Sequence, residues 1–145
     1  PEAIRDNVCD RFVWPSLTFP TPEVIDFVLG EFGPEGRLGL HEPGSSFQSQ
    51  TDIVELSDSI RREINPFGTI FGNNPPTHAI TLGLGDIAKG REVIIAANGE
   101  SQTPAVLRAI FDTPSTDCPA SILQHMTAAG KKVTVVVSPD IFAEI

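Results

Sequence analysis

Short runs of apolar residues alternate along the chain with segments of helical spacing. Three of these runs are rich in β-branched residues and have the length of buried strands, at 24–29, 93–97 and 133–137. A fourth strand is predicted at 79–85, where it leads into a glycine turn. Strands separated by helices of this size are typical of βαβ units. The pattern therefore predicts an α/β fold with a mainly parallel sheet flanked by helices.

Helices are predicted in the segments between the strands. A helix over 102–111 has an apolar face, and Ser101 precedes it as its predicted N-cap. Another helix begins at Pro119 and is stopped by Gly130. Asp86 is the predicted N-cap of a short helix that follows the glycine turn.

Residues 51–64 fit two patterns, and both stay open at this point. The segment 52–56 fits a strand. The next segment, 65–77, is rich in Pro, Gly and Asn and predicts a surface loop. Four aliphatic side chains lie at the spacing of one helical face, Ile53, Leu56, Ile60 and Ile64.

The length of the chain, 145 residues with 40% hydrophobic residues, is sufficient for one core. We place a single α/β domain at 24–145. Residues 1–23 contain four prolines and predict an N-terminal connector with a short helix over 2–14. Because the chain starts without methionine on such a connector, we expect a fragment or a processed product.

Charge and composition narrow the classes of partner. The chain has 10 basic and 19 acidic residues, a net charge of −9, and its basic residues are scattered. Nucleic acid and anionic membrane surfaces are therefore not expected as partners. The sequence has neither a long apolar run nor a signal peptide, and Cys9 and Cys118 lie outside any metal-binding or redox motif. We expect a cytoplasmic protein with structural thiols, no metal and no cofactor.

The segment Gly33–Thr51, called here the signature loop, is the first candidate for a functional site. It directly follows the predicted strand at 24–29 and is dense in Gly, Ser and charged residues. Open α/β sheets place their chemistry in loops of this kind. Four of its side chains are candidates for that chemistry: Glu35, Arg37, His41 and Glu42.

The signature loop resembles the motif Gly-x-Asp-Gly-His-Ile-Ala-Phe-Asn-Glu-Pro-Gly-Ser-Ser of the glucosamine-6-phosphate deaminase/isomerase family. Two further stretches resemble the same family in the same order, Ala79–Ile94 and Pro119–Gln124, the latter reading Pro-Ala-Ser-Ile-Leu-Gln. Together they cover about residues 24–137, the carboxyl-terminal half of a family member. The resemblance implies a Rossmann-like fold, present as a partial domain. It also implies a sugar-phosphate ligand and either a homo-oligomer or pairing with a missing amino-terminal half.

The resemblance also implies catalytic positions, and the central one is substituted. In the family, an aspartate and a glutamate hold a histidine that opens the sugar ring by proton transfer. Glu35 and Glu42 stand at the carboxylate positions, and Arg37 stands at the histidine position. A guanidinium stays protonated, so Arg37 cannot move a proton. His41 is a second candidate, although next to Glu42 on an extended segment it faces the opposite side.

Positions that the family uses to bind substrate are changed as well. Gln102 stands where the family has a phosphate-binding lysine, and Gln50 where it has an arginine. Amides lack the charge that strengthens hydrogen bonds to a phosphate dianion. Ser45 and Ser46 match the family motif and are predicted, with Gln102, to contact the substrate. Capping of a turn by the two serines is the alternative.

Two hypotheses follow from these residues. The first is a glucosamine-6-phosphate deaminase/isomerase-like protein of amino-sugar phosphate metabolism with lost or altered catalysis. The second is a non-catalytic assembly or regulatory domain built on the same fold. Loss of the histidine and the lysine favours the second hypothesis, whereas the retained Glu-Pro-Gly-Ser-Ser stretch supports the first.

Overall fold

The computed structural model describes residues 23–145, which form two compact units. One unit comprises residues 52–80, and the other comprises residues 23–51 and 81–145. The helix predicted at 2–14 and Cys9 lie outside the described residues. The strands are β1 (Ile25–Glu31), β2 (Asp52–Glu55), β3 (His78–Thr81), β4 (Gly90–Ala97) and β5 (Lys132–Val137). The helices are α1 (Asp58–Ile64), α2 (Leu84–Ile87), α3 (Thr103–Phe111), α4 (Ile122–Ala128) and α5 (Pro139–Phe142).

The larger unit is built on a three-stranded parallel sheet with the order β1-β4-β5. The central strand is β4, in which Val93 is in register with Val28 of β1 and Val133 of β5. Val93 and Ile95 are buried, as expected for the β-branched residues of a covered parallel strand. The predicted α/β fold with a parallel sheet is confirmed, and the three β-branched runs correspond to β1, β4 and β5.

The core of this unit joins inward-facing residues of β4 to the buried faces of α3 and α4. Val106 of α3 and Met126 of α4 both belong to it. Burial of an aliphatic side chain of this size contributes about 1.5–3 kcal/mol. Further core members come from the end of β1 and the signature loop, from α2 and from the segment that leads into α4: Phe32, Leu38, Leu84, Ile87, Cys118 and Ala120. The signature loop is therefore attached to the core at Leu38.

The smaller unit shows that both patterns found in residues 51–64 are right for part of that segment. Residues 52–55 form β2, which pairs with β3 in a separate two-stranded sheet. Helix α1 follows, and Ser57 caps it by accepting a hydrogen bond from Ile60 N to its Oγ at 3.3 Å. The segment 65–77 is a loop, as predicted, and it contains a 3₁₀ turn at Pro66–Gly68.

Three predictions about the helices and strands were wrong in detail. The strand predicted at 79–85 ends at Thr81 and lies outside the parallel sheet. Asp86 is not an N-cap, because α2 begins at Leu84 and Asp86 lies inside it. Ser101 is not an N-cap either, because it lies within a 3₁₀ turn that precedes α3. That turn takes up the residues that a sequence pattern assigns to the start of the helix.

Candidate functional site

The loops that follow β1, β4 and β5 meet at one edge of the parallel sheet, where open α/β folds bind their ligands. Gln102 connects two of these loops, since its Nε2 donates to Phe32 O at 3.0 Å and its Oε1 accepts from Asn98 N at 3.1 Å. Ser138 connects the third, because its Oγ accepts from Gly99 N at 3.1 Å. The edge is thus held together by side-chain to backbone hydrogen bonds.

The signature loop leaves β1 through a tight turn. Arg37 N donates to Pro34 O at 3.1 Å, which closes a one-turn 3₁₀ segment at Pro34–Gly36, and Gly33 N donates to Arg37 O at 2.9 Å across its base. Within the turn, Glu35 has a φ of 58° and Gly36 a φ of 80°, both in the left-handed region. Such a backbone costs a residue with a Cβ about 1–2 kcal/mol. Glu35, predicted at a catalytic carboxylate position, is exposed to solvent at the tip of this turn.

Arg37 folds back onto the turn that carries it. The side chain is buried, with 8% of its surface exposed, and Nη1 donates to Gly39 O at 2.5 Å. A Cβ on Gly33 would lie only 2.6 Å from Arg37 Cζ, so a side chain at position 33 would displace the guanidinium from its present place. Arg37 therefore stabilises the loop by bonding to it.

His41, the second candidate for proton transfer, contacts a backbone carbonyl. Its ring is buried, and Nε2 lies 2.9 Å from Leu82 O. A carbonyl can only accept, so Nε2 carries the proton in this contact. The neighbouring Leu40 N donates to Thr81 Oγ1 at 3.4 Å. Both contacts attach the middle of the signature loop to residues 81–82.

The end of the motif forms two further turns. Glu42 is half-buried, and its carbonyl accepts from both the N and the Oγ of Ser45, the latter at 2.7 Å. Ser46 Oγ accepts from Gln48 N at 3.2 Å. Both serine hydroxyls thus cap turns, which was the alternative reading of the sequence. Contact of Ser45 and Ser46 with a substrate stays a prediction.

The carboxyl-terminal end of the signature loop packs on α2. Ser49 accepts twice, from Leu84 N to its Oγ and from Gly85 N to its O, each at 2.9 Å. A Cβ on Gly83 would overlap the carbonyl oxygen of Ser49, so this contact requires a glycine. Close packing against Ser49 therefore explains the glycines of the predicted turn, Gly83 and Gly85.

Asp86 lies next to this contact and is fully buried, at 0% exposure. Its Oδ2 accepts from Thr51 N at 2.6 Å and from Thr51 Oγ1 at 2.8 Å, and its Oδ1 lies 2.7 Å from Lys89 Nζ. Burial by itself raises the pKa of Asp86, but the hydrogen bonds from Lys89 and Thr51 and the Lys89 charge outweigh it, so the pKa lies below its ordinary value. Sequence reasoning assigned Asp86 to a helix cap and missed this role.

The structure thus carries Glu35, Arg37 and Glu42 on one loop but in different surroundings: Glu35 is exposed, Glu42 half-buried and Arg37 buried. Their catalytic roles stay predictions. Among residues 23–145, no cluster of three His, Cys, Asp or Glu side chains is arranged to hold a metal ion. None of the helices in that range has the length and apolarity needed to cross a bilayer.

Comparison with known proteins places this architecture in a defined class. No family model matches the chain. A solved monomeric glucosamine-6-phosphate deaminase of the NagB superfamily has a TM-score of 0.69 and 27% identity, over 81% of this chain and 47% of that one. The 6-phosphogluconolactonase from Trypanosoma cruzi has a TM-score of 0.62 at 21% identity, over 84% and 41%. The chain therefore has the α/β fold of the NagB superfamily.

Sequence relatives identify the family within that class. The glucosamine-6-phosphate deaminase of Geobacillus sp. (strain WCH70) is 36% identical over 116 residues, 80% of this chain and 44% of the relative. That of Bacillus cereus (strain B4264) is 38% identical over 101 residues, 70% and 38% respectively. Over the matched residues, the chain belongs to the glucosamine-6-phosphate deaminase family. It spans less than half the length of these curated relatives.

Proposed function

We propose that this chain is a glucosamine-6-phosphate deaminase-like protein of amino-sugar phosphate metabolism in which the proton-transfer chemistry is lost or altered. The observation that carries the proposal is Arg37, which stands at the histidine position of the motif and is bonded to its own loop. Ring opening and isomerisation need a group that takes up and releases a proton near neutral pH. A guanidinium does neither.

The environment of Gln102 supports the same proposal. A phosphate bound at this edge needs donors with positive charge. Gln102 is neutral, and both ends of its amide are already used, by Phe32 O and Asn98 N. A phosphate would therefore have to displace an existing hydrogen bond and would gain no ion pair there.

A second candidate is a non-catalytic assembly or regulatory domain, and exposed apolar residues of β1 favour it. Leu29 is 71% exposed and Phe27 is 50% exposed on a strand that is paired only with β4 in the described sheet. Apolar side chains of this size are typical of surfaces that a partner covers. The partner in this hypothesis is a second copy of the chain or a separate amino-terminal half. A cytoplasmic location stays a prediction.

The test is an assay of the purified chain for ammonia release from glucosamine 6-phosphate and for the reverse reaction. We expect no turnover from the unmodified chain, and a measurable gain for Arg37→His. The matched control is Arg108→His, which changes an arginine on α3 whose Nη2 donates to Asp117 O at 3.3 Å. Gain in both variants would argue against a specific role of position 37.

Glu42→Gln decides between the two candidates. Turnover by the unmodified chain that disappears in Glu42→Gln would establish an enzyme with altered chemistry. Absence of turnover in every variant, together with absence of binding at millimolar substrate, would favour the non-catalytic domain. Sedimentation of the purified chain then measures whether it assembles with itself.

A further inference from the structure

Four hydrogen bonds join the carboxyl-terminal end of the signature loop to α2. Ser49 accepts two of them, from the backbone N of Leu84 and of Gly85. Thr51 donates the other two, both to Asp86 Oδ2, from its N at 2.6 Å and from its Oγ1 at 2.8 Å. The carboxylate is thus the acceptor for half of the bonds at this contact.

A buried carboxylate is a costly hydrogen-bond acceptor because it is charged. Removing it from water is unfavourable unless charge and hydrogen bonds compensate, and a neutral acceptor would avoid that cost. Lys89 supplies the opposite charge, with Nζ 2.7 Å from Oδ1 and one third of its side chain still exposed. The two oxygens therefore divide their roles: Oδ1 holds the cation, and Oδ2 holds the loop.

We infer that Asp86, held by Lys89, is a positioning residue that fixes the carboxyl-terminal end of the signature loop through Thr51. The inference rests on the proposed function only for the significance of the loop as a substrate-binding segment. The contact itself is defined by the geometry and needs no substrate to be tested.

Other parts of the signature loop have anchors that do not involve Asp86. At the start of the loop, Gly33 N donates to Arg37 O. Further along, Gly44 N donates to Thr116 O at 2.8 Å. Phe47 packs against His125 of α4 with ring centroids 5.5 Å apart. Loss of the Asp86 carboxylate should therefore release residues 49–51 while the rest of the loop and the sheet stay in place.

Native-state amide hydrogen exchange of the whole chain tests this inference. The amides of Leu84 and Gly85 are the reporters. Both donate to Ser49, so the hydrogen bond that protects each of them does not involve Asp86. In Asp86→Asn, the charge-assisted bonds become neutral ones of about half the strength. We expect exchange of the two reporter amides to accelerate about tenfold, while amides of β4 exchange at the unmodified rate.

Further variants at positions 51 and 89 keep the test decisive if Asp86→Asn does not fold. Thr51→Val removes one of the two bonds to Oδ2 and should give a smaller acceleration at the same reporters. Lys89→Met removes the cation, and Lys89→Arg should restore protection. The matched control is Glu92→Gln, which removes the charge of a half-buried carboxylate that lies 2.6 Å from the exposed Lys132 Nζ and should leave both reporters unchanged.

Two results would overturn the inference. Unchanged exchange of the Leu84 and Gly85 amides in Asp86→Asn, Thr51→Val and Lys89→Met would show that the loop end does not depend on the carboxylate. Equal acceleration at the reporters and throughout β4 would show that Asp86 supports global stability and positions nothing locally. Neither result bears on whether the chain acts on a sugar phosphate, because no substrate is present.

Discussion

Gln102 joins the ends of β1 and β4, and its removal should be measurable as a loss of stability. Gln102→Ala deletes the bond from Nε2 to Phe32 O, at 3.0 Å, and the bond from Asn98 N to Oε1, at 3.1 Å. A hydrogen bond of this kind contributes about 0.5–1.5 kcal/mol net. With two such bonds lost, we expect the free energy of unfolding to fall by about 1–3 kcal/mol.

The assay is urea-induced unfolding of the two proteins at pH 7. The midpoint should fall in Gln102→Ala, and the slope should be unchanged because the surface exposed on unfolding is the same. The matched control is Gln50→Ala, which removes an exposed amide from the signature loop and should shift stability by no more than about 0.5 kcal/mol. Equal effects of the two variants would refute the structural role of Gln102.

Gln102→Lys separates the structural role of this position from binding. An ammonium can donate to Phe32 O but cannot accept from Asn98 N, so this variant should also be destabilised. It also introduces the cation found at this position in the family motif. Inorganic phosphate should then raise the melting temperature of Gln102→Lys more than that of the unmodified chain. An equal response in both proteins would mean that phosphate does not reach this edge.

Three other predictions follow from buried groups of the larger unit. The hydrogen bonds from Lys89 and Thr51 hold the pKa of Asp86 below its ordinary value of 3.8. The contribution of Asp86 to stability is therefore complete above that value and is lost as pH falls through the folded pKa. The decrease in the free energy of unfolding from pH 7 to pH 3 should accordingly be smaller in Asp86→Asn than in the unmodified chain. Gly36→Ala should destabilise by about 1–3 kcal/mol, and by more than Gly44→Ala, because both glycines have positive φ but only at Gly36 would an added Cβ overlap Cys118 Sγ, as thermal unfolding can measure. Burial raises the pKa of the Cys118 thiol, so peptide mapping should find it alkylated slowly in the folded chain and quickly in urea.

The parallel sheet could be predicted because its signal is local. Each of the three strands is a short β-branched run, and the central strand β4 is buried along alternate positions. The loop after β1 could also be predicted, since a segment dense in Gly, Ser and charged residues directly follows the strand. The paired strands β2 and β3 were harder to predict, because four-residue strands carry little periodicity and residues 52–56 also fit a helix.

The long-range contacts within the candidate site could not be predicted, because their partners are distant in sequence. Asp86 and Thr51 are 35 residues apart, and Gln102 and Phe32 are 70 residues apart. An aspartate after a glycine turn fits a helix cap locally, and only the fold shows that its carboxylate is buried beneath the loop. The resemblance to the family located the positions of Arg37 and Gln102 but not the bonds that these substituted side chains make.

The bonds of Arg37 and Gln102 also set a limit on the affinity of this chain for a sugar phosphate. Arg37 is the one Lys or Arg within the signature loop, and its Nη1 already donates to Gly39 O. A phosphate that replaced the contact between Gln102 and Phe32 would forfeit about 1 kcal/mol, which weakens binding about fivefold. A charge-assisted bond of the kind that a lysine would have supplied is worth about 1.5–3 kcal/mol in total. Anion binding at this edge should therefore depend on Arg37: Arg37→Gln should abolish it, whereas binding that survives this change must use a cation from outside the loop.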